Sequence, residues 1–482
     1  MSKLALENIK LTLENNLSLQ CIKLVREVVA KRRVYQALLN EKLVYAKVFT
    51  GTNFARYASR DKAGFTQLAS ANIVTPNLIL DAMLQDGTGR VLCYEAIEAE
   101  NAEVLYASFR QAENGETYQL RYTLMQQLTR AVASHHQAGL IQTDLYFKNF
   151  LVKNTTVYTL DGDGIRPLSP VFKQRQCLKN LATLFSKMDV LDDHWIDALY
   201  AIYCEVQGRE YSLFESADVW MFTQKIRRQV ASNYADDKVF RNCTDVKIDH
   251  ASAHFLAASR DFSAENISVD LLDALLNSPA KNIKNGNTCT VGLAQIGTHQ
   301  AVIKRYNIKN YWHGVKLALR QSRAAKSWAN AHRLHILNIA TPKPLALLEE
   351  RRGWFKRRAY FLSEYCDAPD IATFLASCDL QDKEVVARAV AALFYKLYLL
   401  KISHNDTKAT NIKIVGLKPV LIDLDAMQSH TLGWVFQRKH VRDLKRFMRN
   451  WQDDAETTAL LKEAFILQHD DEDGILQLAG IA

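Results

Sequence analysis

The chain has 482 residues, of which 48% are hydrophobic and 23% charged, with only 18 glycines and 8 prolines; this excludes collagen-like, low-complexity and disordered classes and implies about two to three folded domains. The formal net charge of +9 favours anionic partners: a nucleotide, a phosphorylated substrate, nucleic acid or an acidic membrane face. The 8 cysteines form no C-x-x-C pair or zinc spacing and read as reduced buried thiols.

The opening, MSKLALENIKLTLENN, is amphipathic and has no signal-peptide apolar core. No apolar run approaches the ~20 residues of a membrane span. KRR at Lys31 to Arg33 reads as a solvated basic face. LVYAKVF places Lys47 among β-formers. The following helical stretch carries Asp61. Extended segments then lead through ANIVTPNLI at Pro76 to VLCYEAIE, which ends near Glu95. Leu124, Leu128, Ala131 and His135 recur at helical spacing. Beyond them DLYFKNFLVKNTTVYTLDGDGI begins at Asp144, with Asn149 five residues on, Asp161 twelve further and Asp163 two further.

The same order recurs in the second half. KNGNTCTVG, with Gly286 and Gly292, precedes AVIKRY, which holds Lys304. A helical stretch containing SRAAKSWAN follows, then LNIATPKPLAL at Pro342, the basic RRGWFKRR at Arg351 to Arg358, and AYFLSEY at Glu364. Val386, Val390, Leu393, Leu397 and Leu400 mark an amphipathic helix. HNDTKATN then supplies Asp406 and Lys408, with Asn411 five residues after Asp406, Asp423 twelve further and Asp425 two beyond that. Both frames straddle two short apolar runs with a turn between them, a hairpin signal. Two such frames half a chain apart imply duplicated domains, residues 1–240 and 241–482, each a bilobal α+β layout.

Phosphoryl transfer needs a lysine on the nucleotide phosphates, oxygen ligands for Mg²⁺, and a carboxylate that accepts the attacking hydroxyl's proton. Strand lysine, Asp, Asn and trailing Asp are that set. The pattern resembles the protein-kinase-like superfamily, whose signature is H-R-D-L-x-x-x-N followed by D-F-G. His404, Asp406, Lys408 and Asn411 fall in its register, and IDLD stands where D-F-G would. IDLD, KRYN and SRAAKSW…ATPKPLAL further resemble the bacterial lipopolysaccharide kinase family, as does HHQAGLIQTDLYFKNFLV in the first half. The resemblance spans about residues 30–170 and 280–430.

The resemblance implies two tandem bilobal protein-kinase-like domains with ATP and Mg²⁺ as cofactors. It implies phosphorylation of a heptose or Kdo hydroxyl of the lipopolysaccharide inner core, in the cytoplasm and peripherally at the inner face of the inner membrane. It assigns Asp406, Lys408 and Asp144 to catalysis, Lys304, Glu364, Lys47, Asp61 and Glu95 to nucleotide binding, and Asn411, Asp423, Asn149 and Asp161 to metal. The first half departs from the pattern at Gln142 and Tyr146, where the second half has His404 and Lys408. Asp61 falls where a helix acid pairs with Lys47, whereas Ser327 holds that place in the second half and leaves Lys304 without an evident partner. The glycine loop is loose in the second half and missing in the first. A small-molecule or protein kinase, or a chain with one half a non-catalytic scaffold, is the alternative. A D-x-D glycosyltransferase explains neither the upstream Asp…Asn nor the lysine strand. No helix-turn-helix, zinc-finger or RNP pattern indicates nucleic acid.

Overall fold

The computed structural model describes residues 8–28, 31–112, 115–264, 267–278, 282–286, 289–307, 321–352, 355–469 and 474–482. The chain forms two compact units, Met1–Met188 with Asp192–Ile226 and Asp189–Leu191 with Arg227–Ala482. The division falls inside the helix Leu213–Asp236.

The N-terminal unit begins with an antiparallel sheet of six strands: β1 (Ile9–Thr12), β2 (Ser18–Val28), β3 (Arg32–Leu39), β4 (Lys42–Thr50), β5 (Leu78–Met83) and β6 (Gly89–Glu95), in the order β1-β2-β3-β4-β6-β5. Strand alternation decides which side chains face the site. Val44, Ala46 and Val48 of β4 enter one core with Tyr35 and Cys93. Lys47 and Phe49 therefore face the other side, where helix α1 (Phe54–Ser70) closes over Phe49, Phe65 and Tyr94. Asn40 and Glu41, at φ 48° and 63°, make a two-residue turn between β3 and β4. That turn sets Val34 opposite Lys47 and Arg32 opposite Phe49. The helical lobe follows. Helix α2 (Gly115–Gln137) buries Leu124, Leu128 and Val132 against Phe150 and Leu181. The hairpin of β7 (Phe150–Lys153) and β8 (Thr156–Thr159) comes after it.

The C-terminal unit repeats this plan around an antiparallel sheet of seven strands. They are β9 (Val246–His250), β10 (His254–Ser259), β11 (Asn282–Asn285), β12 (Cys289–Ile296), β13 (His299–Tyr306), β14 (Pro344–Arg352) and β15 (Phe355–Glu364). Their order is β9-β10-β14-β15-β13-β12-β11. Ala301 and Ile303 of β13 fill one core and Tyr306 another, so Lys304 shares the Tyr306 face. Helix α3 (Arg323–Ile336) lies on that face, capped by Ser322, which accepts from the Ala325 amide at 3.0 Å. Helix α4 (Leu380–Leu399) is capped by Asp379, which accepts from the Asp382 amide at 2.8 Å. It buries Val386, Val390, Leu393 and Leu397 in the helical-lobe core. The hairpin of β16 (Ile412–Val415) and β17 (Lys418–Leu421) and helix α5 (Gly433–Met448) complete the unit. Each unit thus joins an antiparallel sheet to a helical lobe that carries a short hairpin.

Candidate active site

In the C-terminal unit the loop from His404 to Asn411 is held by buried Asp443 of α5. The Asp443 carboxylate accepts from the His404 amide at 2.8 Å and the Asn405 amide at 2.9 Å. Its backbone carbonyl accepts from Thr407 Oγ1 at 2.6 Å. Burial pushes the Asp443 carboxyl above the usual range, against the opposing pull of the Asn405 and His404 amides. His404 Nε2 donates to the Ile422 carbonyl at 3.1 Å and ties the loop to the residue before Asp423. Asn411 Nδ2 donates to the Asp406 carbonyl at 2.9 Å, which leaves its Oδ1 as the atom available to a cation. Asp406 Oδ1 has Arg446 at 2.5 Å and Lys408 at 3.8 Å as charge partners. A carboxylate on this loop is suited to taking a proton from a substrate hydroxyl once Arg446 moves aside.

Asp423 sits at φ 60°, a left-handed conformation that a non-glycine residue adopts at a cost and that clusters at functional sites. It forms a close ion pair with Lys304, and Asp425 lies 3.3 Å from the same ammonium. Arg323 binds Asp425 at 2.7 Å. Burial disfavours the Lys304 charge, but Tyr306, Asp423 and Asp425 outweigh it and hold the pKa above the ordinary lysine value. Lys304 therefore has two acid partners, both from the D-x-D turn, in place of the missing helix acid. Ser327, at the helix-acid position, hydrogen-bonds the Tyr306 hydroxyl at 3.0 Å. Asn330 of α3 donates to the Leu424 and Met427 carbonyls at 2.9 and 3.1 Å and so fixes helix to turn.

A cleft of about 530 Å³ opens on Gly286, Lys304, Glu364, Asn411 and Asp423. Backbone bonds join its rear edge, from the Glu364 amide to Lys343 O at 2.9 Å and from the Tyr365 amide to Gln300 O at 2.8 Å. The Glu364 side chain meets His299 at 3.4 Å. The tip of the loose glycine loop, residues 287 and 288, lies outside the described residues.

The N-terminal unit places its corresponding residues alike but fills the space between them. Asn149 Nδ2 donates to the Asp144 carbonyl at 2.7 Å. Gln142 Nε2 donates to Leu160 O at 2.9 Å, the bond that His404 makes in the other unit, so this departure preserves the loop's anchor. Lys47 meets Asp61 at 2.7 Å and Asp161 at 3.6 Å. Glu95 accepts from Asn77 Nδ2 at 2.8 Å. Asp161, at φ 65°, matches Asp423 in backbone. Its carboxylate, however, is clamped by both guanidinium nitrogens of Arg32, at 3.1 and 3.3 Å. Arg32 also lies 3.6 Å from Asp61 and is 7% exposed. Lys31 reaches Asp163 at 3.4 Å, and Arg60 pairs closely with it. Burial would raise the Asp161 pKa, but Lys47 and Arg32 drive it well below the carboxylate range. Helix α1 touches the Asp-Gly-Asp turn backbone to backbone, because a Cβ on Gly64 would fall 1.9 Å from Gly162 O.

Arg32 is not legible as a site residue in the KRR run itself, which reads as a solvated face. The signal was available in the Asn40-Glu41 turn, because counting back along the hairpin puts Arg32 on the Lys47 face. It arises from the hairpin that carries Gly286 in the other unit, so an arginine occupies the ground that a glycine loop would leave to phosphates. Asp443 is likewise not legible as a site residue; it is the lone acid in the basic run QRKHVRDLKRFMRNW.

Fold and placements define a protein-kinase-like domain. Residues 274–466 match the Lipopolysaccharide kinase (Kdo/WaaP) family model. Among solved structures the chain is similar to WaaP in complex with acyl carrier protein, at 15% identity over 44% of this chain and 89% of that one, with a TM-score of 0.31. It is also similar to the BubR1 kinase domain, at 13% identity over 37% of this chain and 64% of that one, with a TM-score of 0.30. No curated protein matches its sequence. No helix among the described residues is long and apolar enough to cross a membrane.

Proposed function

We propose that the C-terminal unit phosphorylates a sugar hydroxyl, of heptose or Kdo, in the lipopolysaccharide inner core. The observation that carries this reading is the convergence of Lys304, Asn411 and Asp423 on one cleft, with Asp406 a single hydrogen bond away, inside the span that matches the kinase family. Bound ATP with Mg²⁺ would supply the transferable phosphoryl group and charge neutralisation. The residues fit that pair. Asp423 and the Asn411 Oδ1 are hard oxygen donors, and Mg²⁺ ordinarily takes only one or two protein carboxylates besides phosphates and waters. Lys304 would exchange its contacts with Asp423 and Asp425 for phosphate oxygens. Asp406 accepts the hydroxyl proton and orients the acceptor. Lys408, half-exposed beside it, steadies the transferring charge.

The N-terminal unit, in this reading, is a non-catalytic partner domain joined to the kinase in tandem, with the division near residues 226–240. Its Asp161 and Asp61 are already neutralised by Arg32 and Lys47. The work site is the inner membrane's cytoplasmic face, reached peripherally. The test is purified full-length protein with Mg-ATP and a panel of core oligosaccharides, read by mass for an added phosphate. Phosphate on a heptose or Kdo is expected. ATP turnover that labels only other small molecules or proteins would replace this reading with the broader kinase one.

A further inference from the structure

We infer that the outer face of α5 seats an anionic group of the acceptor, a phosphate- or carboxylate-bearing saccharide, directly beside Asp406. The inference rests on the kinase reading above and names the acceptor chemistry for the same site. A cavity of about 640 Å³ is lined by Lys408, Arg438, Arg442, Lys445, Arg446 and Arg449, together with Val441 and Asn450. Six cations and no carboxylate share that wall.

The spacing makes the arrangement a single stripe. Positions 438, 442 and 445 of α5 and 449, in the helical turn that follows it, are separated by four, three and four residues and lie on one face. All four are exposed. Like charges three and four apart repel, so the helix is destabilised by its own surface until a counter-charge arrives. Among the described residues none of these four has a carboxylate within ion-pair distance. Arg438 is stacked on Trp434 at 5.2 Å.

Several other basic side chains of this unit are already neutralised. Across α5 a cavity of about 690 Å³ shares Arg442 and Arg446, but there Arg323 is held by Asp425 at 2.7 Å and Arg333 by Asp236 at 2.5 Å. In RRGWFKRR, Arg351 pairs with Glu349 at 2.9 Å, and Arg357 and Arg358 pair with Glu350 at 3.0 and 2.8 Å. Residues 353 and 354 of that run lie outside the described residues. Arg438, Arg442, Lys445 and Arg449 form a cluster of cations with no carboxylate partner among the described residues.

The stripe is fixed to the catalytic loop. Asn450 Oδ1 accepts from the Ala409 amide at 3.2 Å, and its Nδ2 donates to Thr407 O at 3.4 Å. Arg446 belongs to both sites, lining the cavity while lying 2.5 Å from Asp406 Oδ1. An anion in the cradle gives Arg446 a second partner and draws it off Asp406, so seating the acceptor also frees the base. The cavity has the size of a phosphorylated sugar rather than of a nucleic-acid duplex.

The test measures binding without turnover, using full-length protein and deacylated, phosphorylated lipopolysaccharide core oligosaccharide in calorimetry. Arg442→Gln/Lys445→Gln, at two exposed positions without partners, should weaken binding about 5- to 30-fold, the loss expected from two partly solvated charge contacts. Phosphatase treatment of the oligosaccharide should weaken wild-type binding similarly. Mg-ATP binding, measured separately, should stay intact in the double variant; its absence in wild type would instead overturn the kinase reading. Equal oligosaccharide affinity in wild type and double variant overturns the inference. So does binding to phosphatidylglycerol vesicles alone, lost in the double variant, which would make the stripe a membrane contact.

Discussion

Replacing Arg32 with Met tests whether the N-terminal unit neutralises its own metal position. Arg32 donates to both oxygens of Asp161 and lies 3.6 Å from Asp61. The side chains of Asp161 and Asp61 are 13% and 0% exposed. The substitution leaves these two carboxylates to share Lys47, turning a neutral quartet into a cluster of net charge −1. Removing one partner of a buried pair costs about 3–5 kcal/mol, because the remaining charge stays desolvated and uncompensated. For a unit of roughly 220 residues, each kcal/mol lowers Tm by about 2–4 °C, so a fall of about 6–20 °C follows. The vacated space then suits a cation. Free Mg²⁺ at ten times its Kd should return about 1.4 kcal/mol, or about 3–5 °C, to the variant. Wild type should gain nothing in this unit. Calorimetric melts give the shifts, and hydrogen exchange in peptides covering residues 156–165 assigns them to this unit. An Arg32→Met protein that melts like wild type, or a wild-type unit protected by Mg²⁺ at those peptides, refutes the reasoning.

The remaining predictions concern catalysis, metal and pH. Asp406→Asn should lower kcat by about 10²–10⁴-fold with nucleotide affinity retained, and Asp144→Asn should not; the reverse pattern in steady-state kinetics makes the N-terminal unit the catalyst. Mg-ATP should raise the thermal stability of the C-terminal unit more than ATP with chelator does, and Asp423→Asn should abolish that difference; equal stabilisation under both conditions means metal-independent binding. Burial holds His135, His332 and His440 down at about 3 and His136 at about 4. The folded state then refuses protons that the unfolded chain takes up below its ordinary pKa of about 6.5. Stability is therefore full above that pH and falls as pH drops towards 4, by about 1.4 kcal/mol per histidine at pH ~5.5. Denaturant midpoints between pH 7.5 and 5 should decline; flat midpoints would mean that these imidazoles are not buried neutral.

The chain by itself determined the elements and their repetition. Alternation in LVYAKVF and AVIKRY, the helical spacing from Val386 to Leu397, and the doubled Asp…Asn…Asp frame are local patterns, and burial of one face of each element enforces them. That is why Lys47, Asn149, Asp161, Lys304, Asn411 and Asp423 lie where strand and hairpin periodicity puts them. What the tertiary structure decided were partnerships across long separations. Arg32 reaches Asp161 over 129 residues, Lys304 takes its acids from a turn 119 residues on, and Asp443 holds a loop 39 residues before it. No local pattern encodes these, because a charged side chain on a strand or helix reads alike whether it faces water or a buried opposite charge. Packing of α1 and α3 onto their sheets removes the water, and only then does charge compensation choose the partner. Among the described residues Arg438 and Arg442 of α5 are left without a carboxylate partner, which composition registered only as a net positive charge.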